Sequence, residues 1–350
     1  MISFRDLDRH FATLPLDVVT QLVAIGEGKG AEAAARLRRP HQLETLRELA
    51  IVQSIETSNA IEGIHAPPAR IAALAADKTT PRDRPEQEIA GYRFVLAEIH
   101  DQGLDIPFEP RYVKQLHGHL YRFTSARHAA DFKRTDNWVT EKGADGSEVV
   151  RFKPVPALRT PAAMEELHDR FAAAEAAGTV PYPLLCAAYV LDFLTIHPFT
   201  DGNGRMARLI TLWLLYRGGY GVGRYISLER IVSDTKGDYY DTLATSTVGW
   251  HDNQHTLMPW SRYLLGVLHA AYGEFEERTG GLTPVAAGKR DAIRAFVAAS
   301  GRDGFTAGDA LASVPVSRDY LGRVLRDLRG EGVVELRGVG RGARWHRARR

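Results

Sequence analysis

Hydrophobic residues recur at intervals of three and four along most of the chain, the spacing that places side chains on one face of a helix. Within residues 42–62 the apolar positions are Leu46, Leu49, Ile51, Ile55 and Ile61. Gly63 follows them as a suitable stop signal. The pattern predicts a mainly α protein, with helices over residues 42–62, 84–103, 110–122, 160–177, 181–195, 204–217, 237–247 and 256–276.

One segment departs from the helical pattern. Residues 136–156 run from Trp-Val-Thr through a Lys-Gly-Ala-Asp-Gly cluster to Val-Val-Arg-Phe, and then reach two prolines. β-Branched and aromatic residues on both sides of a glycine-rich turn are typical of a β-hairpin. We therefore expect one short hairpin within the helical body.

The C-terminal part has its own pattern. Residues 278–288, RTGGLTPVAAG, are typical of a linker. Helices are expected at 289–300, 306–313 and 317–330, followed by two short strands around a tip rich in glycine and arginine. Three helices and a hairpin predict a winged helix-turn-helix.

These patterns divide the chain into four parts. The N-terminal helical region spans 1–105, the helical core with its hairpin 106–277, the linker 278–288 and the winged helix-turn-helix 289–350.

Composition restricts the class of protein. The 350 residues are 44% hydrophobic and 25% charged, as in globular proteins, and no apolar run approaches the ~20 residues of a membrane span. The charged N-terminus lacks the apolar stretch of an export signal, and the lone Cys186 excludes an internal disulfide framework. We therefore expect a cytoplasmic protein with no membrane partner, in which Cys186 is a buried hydrophobe.

Charge is unevenly distributed. Residues 285–350 contain 14 Lys+Arg against 7 Asp+Glu, a net charge of +7, whereas the rest of the chain has a net charge of −5. The arginines expected on the second helix and the wing are Arg318, Arg323, Arg326, Arg329, Arg337, Arg341, Arg344 and Arg347. DNA is one expected partner of this basic module, and protein binding or dimerisation is an equal alternative.

The strongest chemical signal is HPFTDGNGRMAR at residues 197–208, between two apolar helices. Pro198 disfavours helical geometry at the preceding residue, so His197 should leave the helix axis. The ordinary pKa of an imidazole suits a general base. Asp201 can hold a Mg²⁺ ion that bridges phosphate oxygens.

The second half of this stretch suits an anion. Gly202-Asn203-Gly204 lies at the entrance of the next helix, where backbone N–H groups and the helix dipole favour phosphate. Arg205 and Arg208 share a helical face beside that entrance. Together these groups indicate nucleotide phosphate chemistry, although the usual P-loop pattern is absent. A capped helix-loop-helix corner with surface arginines would explain each residue singly, but not all of them within twelve residues.

The stretch resembles the signature of Fic-domain proteins, HPFx[D/E]GNGRxxR, with every fixed position matched. The resemblance extends to the hairpin, which is similar to the family's flap, and covers residues 40–275 in organisation. It implies a helical Fic core that uses Mg²⁺ to transfer AMP from ATP to a Ser, Thr or Tyr hydroxyl of a target protein. The flap would hold the target segment by strand addition.

The resemblance also implies roles for single residues. His197 would deprotonate the target hydroxyl, Asp201 would hold Mg²⁺, and Arg208 would bind the γ-phosphate. The residues implied at the α- and β-phosphates are Gly202, Asn203, Gly204 and Arg205. Tyr239 and Tyr240 occupy the family's Tyr-Tyr position near the nucleotide, and half-buried core aromatics are the equal alternative for them.

A second stretch, SNAIEG at 58–63, fits S/T-x-x-x-E-G/N, which is an inhibitory motif in Fic proteins. Ser58 and Glu62 are four residues apart, so they lie on one face of the expected inhibitory helix, about 44–63. Glu62 precedes Gly63 at the helix C-terminus, where the helix dipole opposes a carboxylate by ~0.3–1 kcal/mol and favours a compensating cation. The resemblance implies that Arg208 is that cation. Glu62 would then pair with the arginine that would otherwise bind the γ-phosphate. An exposed glutamate at a frayed helix end is the alternative.

Several alternatives stay open at this point. The same site could transfer UMP or another nucleotide, or Glu62 could orient a water that removes AMP from a modified target. The protein could also be a DNA-binding regulator whose Fic core is a sensor. The sequence does not specify the target protein; self-modification and a homodimer are further alternatives. The HGH at 117–119 and the GEGKG at 26–30 are expected to be surface features.

Overall fold

The structure is a computed structural model that describes residues 2–103, 105–126, 129–142, 148–280, 293–294, 296–297, 300, 304–314, 316–338 and 343–347. The chain divides into two compact units, 1–281 and 282–350. The helices of the first unit are α1 (Ile2–Arg5), α2 (Leu7–Phe11), α3 (Leu16–Arg38), α4 (Pro40–Ile61), α5 (Pro68–Ala75), α6 (Arg84–Gln102), α7 (Pro110–Leu120), α8 (Thr160–Ala177), α9 (Tyr182–Ile196), α10 (Asn203–Arg217), α11 (Leu228–Asp234), α12 (Lys236–Thr247) and α13 (Met258–Arg278). The mainly α fold class is therefore confirmed. Within the ranges given above, no helix is both long and apolar enough to cross a membrane.

Helices α9 and α10 form the centre of the first unit and pack against each other. Residues 183–193 of α9 and 205–216 of α10 are all buried. A helix buried around its whole circumference needs neighbours on every side, and α4, α6, α8 and α13 contact this pair. Cys186 lies in this core as a free, buried residue, as predicted.

Helix α4 begins and ends within two residues of its predicted bounds, and three of its predicted apolar positions, Leu46, Ile55 and Ile61, are buried. Leu49 is 48% exposed and Ile51 is only partly buried, so the prediction was wrong for both. The buried residues of α4 are Leu43, Leu46, Ala50, Ser54, Ile55, Ser58, Asn59 and Ile61. Three of them are polar and find hydrogen-bond partners inside the protein, which hydrophobic periodicity cannot detect.

Helix α3 was not predicted, and it contains the GEGKG stretch. That stretch is not merely a surface feature, because Gly28 is buried against α13. A Cβ at Gly28 would lie only 2.7 Å from Cγ of Tyr272, so glycine permits a close approach of the two helices. A glycine inside a helix costs ~1 kcal/mol relative to alanine. Packing of α3 against α13 offsets this cost, and only the tertiary structure shows that contact.

The predicted hairpin is present. Strand β1 (Val139–Lys142) pairs antiparallel with β2 (Glu148–Phe152), with a bulge between Val139 and Thr140. The glycine-rich turn between the strands lies outside the described residues. The ring of His251 stacks on Phe152 with 5.4 Å between centroids, and its Nε2 bonds the carbonyl of Lys153 at 2.8 Å, which fixes the base of the hairpin.

The second unit contains α14 (Ala307–Ser313), α15 (Arg318–Gly330) and an antiparallel pair of strands, β3 (Val334–Arg337) and β4 (Arg344–Arg347). Phe305 adds a bridge to Trp345. This order of elements matches the predicted helices at 306–313 and 317–330 and the predicted hairpin; the winged helix itself stays a prediction. Helix α13 extends to Arg278, residues 281–288 of the predicted linker lie outside the described residues, and only part of the predicted helix 289–300 is described.

Candidate active site

The candidate site begins at the end of α9. His197 is its C-cap residue in left-handed conformation (φ 51°, ψ 60°), and its N–H donates to the Phe193 carbonyl at 2.9 Å. Pro198 cannot continue the helix, so the chain turns as the sequence predicted. The next residue, Phe199, is fully buried and stacks on His117, with ring centroids 3.7 Å apart. The loop is therefore anchored in the core directly beside His197.

Asn203 closes this loop. Its Oδ1 accepts from the Phe199 N–H at 2.9 Å, and its Nδ2 donates to the Phe199 carbonyl at 2.8 Å. The residue is buried, so both bonds are shielded from water. In the structure the amide therefore shapes the loop, and a direct contact with phosphate stays a prediction.

A second set of contacts comes from the segment before the hairpin. Lys133 Nζ donates to the Ile196 carbonyl at 3.0 Å and to Asn137 Oδ1 at 2.7 Å, and the Lys133 N–H donates to the Pro198 carbonyl at 2.8 Å. Asn137 in turn donates to the Phe199 carbonyl at 3.0 Å. Burial lowers the pKa of Lys133 to about 8. Sequence reasoning missed both residues, because a lone lysine and a lone asparagine carry no motif.

The imidazole of His197 is prepared to accept a proton. Its Nδ1 lies 3.3 Å from the Leu194 carbonyl, which assigns the hydrogen to Nδ1 and leaves the Nε2 lone pair available. Burial, together with the charge of Lys133, lowers the pKa of His197 to about 4, against the opposing effects of the Leu194 carbonyl, Glu62 and Asp201. The ring is therefore neutral at neutral pH, as a general base must be.

The entrance of α10 is the predicted anion site. Gly202 is its N-cap in left-handed conformation (φ 79°), which glycine adopts without strain. The carboxylate of Glu62 lies at this helix N-terminus: a Cβ at Gly204 would collide with Glu62 Oε1. An anionic group of the protein itself therefore occupies the position where the helix dipole favours an anion.

Arg208 connects this carboxylate to α4. Its Nη2 donates to Glu62 Oε1 at 2.8 Å and to the Ser58 carbonyl at 2.8 Å, and its Nε donates to Ser58 Oγ at 2.8 Å. Arg208 is 5% exposed, whereas the Glu62 side chain is 33% exposed. The arginine is thus held by two groups of Ser58, and the glutamate is the more exposed partner. Gly63 takes φ 75° just after the helix, as predicted for the stop residue.

Arg205 points away from this ion pair and into the protein. Its Nη1 lies 2.8 Å from Glu88 Oε2, and its Nη2 donates to the Tyr121 hydroxyl at 2.8 Å. Its side chain is only 2% exposed. A phosphate contact by its guanidinium would require a change of partners, so that role stays a prediction. In the structure Arg205 braces the first turn of α10.

Asp201 lies at the surface beside the helix entrance. Its Oδ1 accepts from the Gly202 N–H at 2.7 Å, and the Tyr121 hydroxyl is a second hydrogen-bond partner. The Asp201 carbonyl accepts from His117 Nε2 at 3.0 Å. Among the described residues, no group of three or more His, Cys, Asp and Glu side chains could hold a metal. Mg²⁺ is commonly bound by one or two carboxylates together with substrate phosphates, which a single carboxylate beside this helix entrance would fit, so Mg²⁺ at Asp201 stays a prediction.

The two tyrosines differ. Tyr239 is buried and packs edge-on against Tyr240, Trp260 and Tyr263, with centroids 5.2 to 5.8 Å apart. Tyr240 is 46% exposed. Tyr239 is therefore a core aromatic in this structure, and Tyr240 is the one that a nucleotide could reach without rearrangement.

A buried polar cluster anchors α4 one turn before Ser58. Glu229 accepts from Ser54 Oγ at 2.8 Å and from the Tyr92 hydroxyl at 2.9 Å. Glu229 is 1% exposed and Ser54 is also 1% exposed. Hydrogen bonds between a buried carboxylate and two helices hold the segment that carries Glu62 in a defined position.

The structure thus places His197, Asp201, Arg208 and Glu62 around one helix entrance, and their roles stay predictions. The prediction that HGH is a surface feature was wrong for His117, which is fully buried. The supporting residues that sequence reasoning missed are Glu88, His117, Tyr121, Lys133 and Asn137. Their only signal is proximity in three dimensions.

Comparison with known proteins gives a family match over part of the chain and several similar folds. Residues 107–215 match the Fic/DOC family, and no curated protein matches the chain. The fold is similar to a Fic family protein from Desulfovibrio desulfuricans G20, with TM-score 0.61 and 23% identity over 97% of this chain and 98% of that one. It is also similar to a Fic domain containing signaling protein from Bacteroides thetaiotaomicron VPI-5482, with TM-score 0.61 and 21% identity over 75% of this chain and 98% of that one.

A third similar structure is Fic-1 from C. elegans, with TM-score 0.55 and 18% identity over 75% of this chain and 73% of that one. These identities show a shared fold and no more. The family match falls on the segment that contains the helix-loop-helix described above. The chain is therefore similar to the Fic/DOC family over residues 107–215.

Proposed function

We propose that the protein transfers AMP from ATP to a Ser, Thr or Tyr hydroxyl of a target protein, and that Glu62 holds it in a resting state. A Fic domain supports a nucleotide-transfer function in general. The observation that carries the finer proposal is the position of the Glu62 carboxylate, on Arg208 and at the N-terminus of α10. A negative group of the protein lies where a phosphate of the substrate would bind.

In the proposed reaction, His197 Nε2 takes the proton of the target hydroxyl. The hydroxyl oxygen attacks the α-phosphorus of ATP, the bond from that phosphorus to the β-phosphate oxygen breaks, and pyrophosphate leaves. The neutral state of His197 suits the first step. Phosphate near the ring would raise the imidazole pKa above its resting value, which strengthens it as a base.

The phosphates would be held by the N–H groups at the start of α10 and by Arg208. Asp201 would hold Mg²⁺, which when bound to ATP neutralises charge that develops on the phosphates. Tyr121 has hydrogen bonds to both Asp201 and Arg205, so it would keep the metal ligand and the first turn of α10 in a fixed relation.

Inhibition follows from competition for Arg208. While Glu62 binds the guanidinium, the γ-phosphate meets a carboxylate instead of a cation, and ATP cannot place its α-phosphate in line with the hydroxyl. The two bonds from Ser58 keep Arg208 in place when Glu62 leaves. Release therefore requires only movement of a side chain that is 33% exposed.

Two alternatives to AMP transfer would use the same site, and a third is of a different class. UMP or another nucleotide could replace AMP, and Glu62, with its partly exposed carboxylate, could orient a water that removes AMP from a modified target. A DNA-binding regulator with the Fic core as sensor is a different class of function. It has no use for a neutral histidine beside a metal-type carboxylate, so the site geometry favours transfer.

The test is automodification with labelled ATP. We expect Glu62→Gly to raise the initial rate of labelling over wild type and His197→Ala in the same background to abolish it. Glu56→Gln is the matched control, because it removes a carboxylate from an exposed position of the same helix. Equal labelling by wild type and Glu62→Gly would refute the inhibitory role.

The nucleotide is tested separately. Glu62→Gly protein is incubated with ATP, GTP, UTP or CTP, and the mass of the adduct is read. An adenylyl adduct supports AMP transfer, and any other adduct overturns the nucleotide assignment. Incubation of a purified adenylylated protein with wild type and with Glu62→Gln distinguishes removal: loss of the adduct with wild type alone would assign Glu62 to the reverse reaction.

A further inference from the structure

We propose that the second unit binds duplex DNA, with the exposed face of α15 in the major groove. The inference is independent of nucleotide transfer, since it concerns residues 282–350 alone. It starts from the net charge of +7 that this segment carries.

The unit has a hydrophobic core of its own. The buried members of the core are Ile293, Val297, Phe305, Ala310, Val314, Leu321, Val324, Leu325, Leu328 and Val334. Two of the unit's carboxylates, Glu331 and Glu335, pair with Arg294 and Arg337. The arginines that neutralise these two carboxylates therefore lie outside α15.

Helix α15 is sharply divided between an apolar and a charged side. Its four buried residues lie on one side, and Arg323 and Arg326 lie at the centre of the opposite side. Arg318 and Arg329 lie on the flank. Among the described residues, Arg318, Arg323 and Arg329 have no ion-pair partner.

The composition of the exposed side indicates the kind of partner. Every exposed residue of α15 is charged or glycine. The core of a protein–protein interface is rich in aromatic and apolar residues and poor in charge, so this side lacks what such an interface needs. A row of arginines matches a phosphate backbone and, by bidentate hydrogen bonds, guanine edges. Asp319, in the first turn, is suited to accept a hydrogen bond from a cytosine amino group.

Gly322 is a second, independent observation. A Cβ at this position would meet nothing within 4 Å, so the fold itself does not require glycine there. Glycine inside a helix costs ~1 kcal/mol relative to alanine. Gly322 lies one turn before Arg326 on the accessible side. A close approach by an external partner accounts for this glycine.

Helix dimensions select the nucleic acid. An α-helix with side chains is ~10–12 Å across, and the major groove of B-DNA is ~12 Å wide. The major groove of duplex RNA is too deep and narrow for side chains to read. The hairpin of β3 and β4 follows α15 directly and presents exposed arginines, Arg337, Arg344 and Arg347, which suit contacts with the adjacent backbone.

The experiment measures binding of the full-length protein, without ATP, to a fluorescent duplex DNA pool by anisotropy at two salt concentrations. With four phosphate contacts, affinity falls roughly 150-fold for a fourfold increase in salt, since the slope is about −0.9 per contact. Arg323→Ala/Arg326→Ala should lower affinity at least ~10-fold and make the slope shallower by about two. Gly322→Gln should weaken binding without a loss of thermal stability.

The matched control is Arg38→Ala/Arg159→Ala, which removes the same charge from exposed positions of the first unit. We expect it to bind as wild type does, and far-UV circular dichroism checks that every variant is folded. The proposal is overturned by absent or salt-insensitive binding, by an equal loss in the control, or by equal affinity for duplex RNA. Labelling with ATP is unaffected by any of these outcomes, so the two proposals fail separately.

Discussion

Gly204→Ala should release the proposed inhibition without changing any charged group. A Cβ at position 204 would lie closer than 3.0 Å to Glu62 Oε1, a separation that real Cβ atoms do not show. The glutamate is the flexible partner of this contact, because its side chain is at a helix end and 33% exposed. We therefore expect Glu62 to swing into solvent while Arg208 remains bonded to Ser58.

The expected increase in labelling follows from the lost bond between Arg208 and Glu62. The bond from Arg208 Nη2 to Glu62 Oε1 is 2.8 Å long and charge-assisted, a type that contributes ~1.5–3 kcal/mol when shielded from water. Partial exposure of Glu62 reduces this to ~1–2 kcal/mol. Since 1.4 kcal/mol corresponds to a factor of ten, labelling should rise about 5- to 30-fold. Alanine should also add up to ~1 kcal/mol of helix stability relative to glycine.

The assay compares initial rates of automodification for wild type, Gly204→Ala, Glu62→Gly and the double variant. The double variant should match Glu62→Gly, because both changes act through the same carboxylate. Displacement of Glu62 by the new methyl group is refuted if Gly204→Ala labels no faster than wild type while the double variant keeps the rate of Glu62→Gly. A double variant far slower than Glu62→Gly would show instead that the new methyl group obstructs the nucleotide.

Three further outcomes are expected. Ser54→Ala removes a hydrogen bond to the buried Glu229, so it should lower the free energy of unfolding by ~0.5–1.5 kcal/mol. It should also raise labelling, by less than Glu62→Gly does. Unchanged labelling would show that this contact does not hold the inhibitory helix. Tyr121→Phe in the Glu62→Gly background should slow labelling and raise the Mg²⁺ concentration that labelling requires. Thermal denaturation should show an intact fold. An unchanged Mg²⁺ requirement would show that Tyr121 does not support the metal site. Burial lowers the pKa of His100 from 6.5 to about 3, so the unfolded chain binds more protons and stability should fall as the pH decreases below 6.5; His100→Gln should reduce the loss in melting temperature between pH 7.5 and pH 5.

Much of the fold could be predicted because its signals are local. The apolar α9 is buried on all sides, and Pro198 turns the chain at His197. Gly63 and Gly202 adopt left-handed conformations at helix ends. Each of these features depends on a few neighbouring residues, so a short window of sequence contains the whole cause.

Predictions about exposure were less accurate. Leu49 is exposed although it continues the apolar pattern, whereas Gly28 and His117 are buried although they appeared to belong to the surface. Burial depends on which segments pack together. Gly28 is covered by α13 and His117 by the loop after α9, and both of these segments lie more than 80 residues further along the chain. No local pattern records them.

The chain itself determined which groups are available: a histidine before proline, an aspartate before Gly-Asn-Gly, two arginines one turn apart, and a glutamate at a helix end. Only the tertiary structure decided what each group does. Arg208 meets Glu62 across 146 positions of sequence, and Arg205, three residues earlier, instead turns inward to Glu88. The physical reason is that α10 contacts both α4 and α6, so two arginines with the same local chemistry encounter carboxylates from different parts of the chain. One arginine remains beside the helix entrance and the other braces the core.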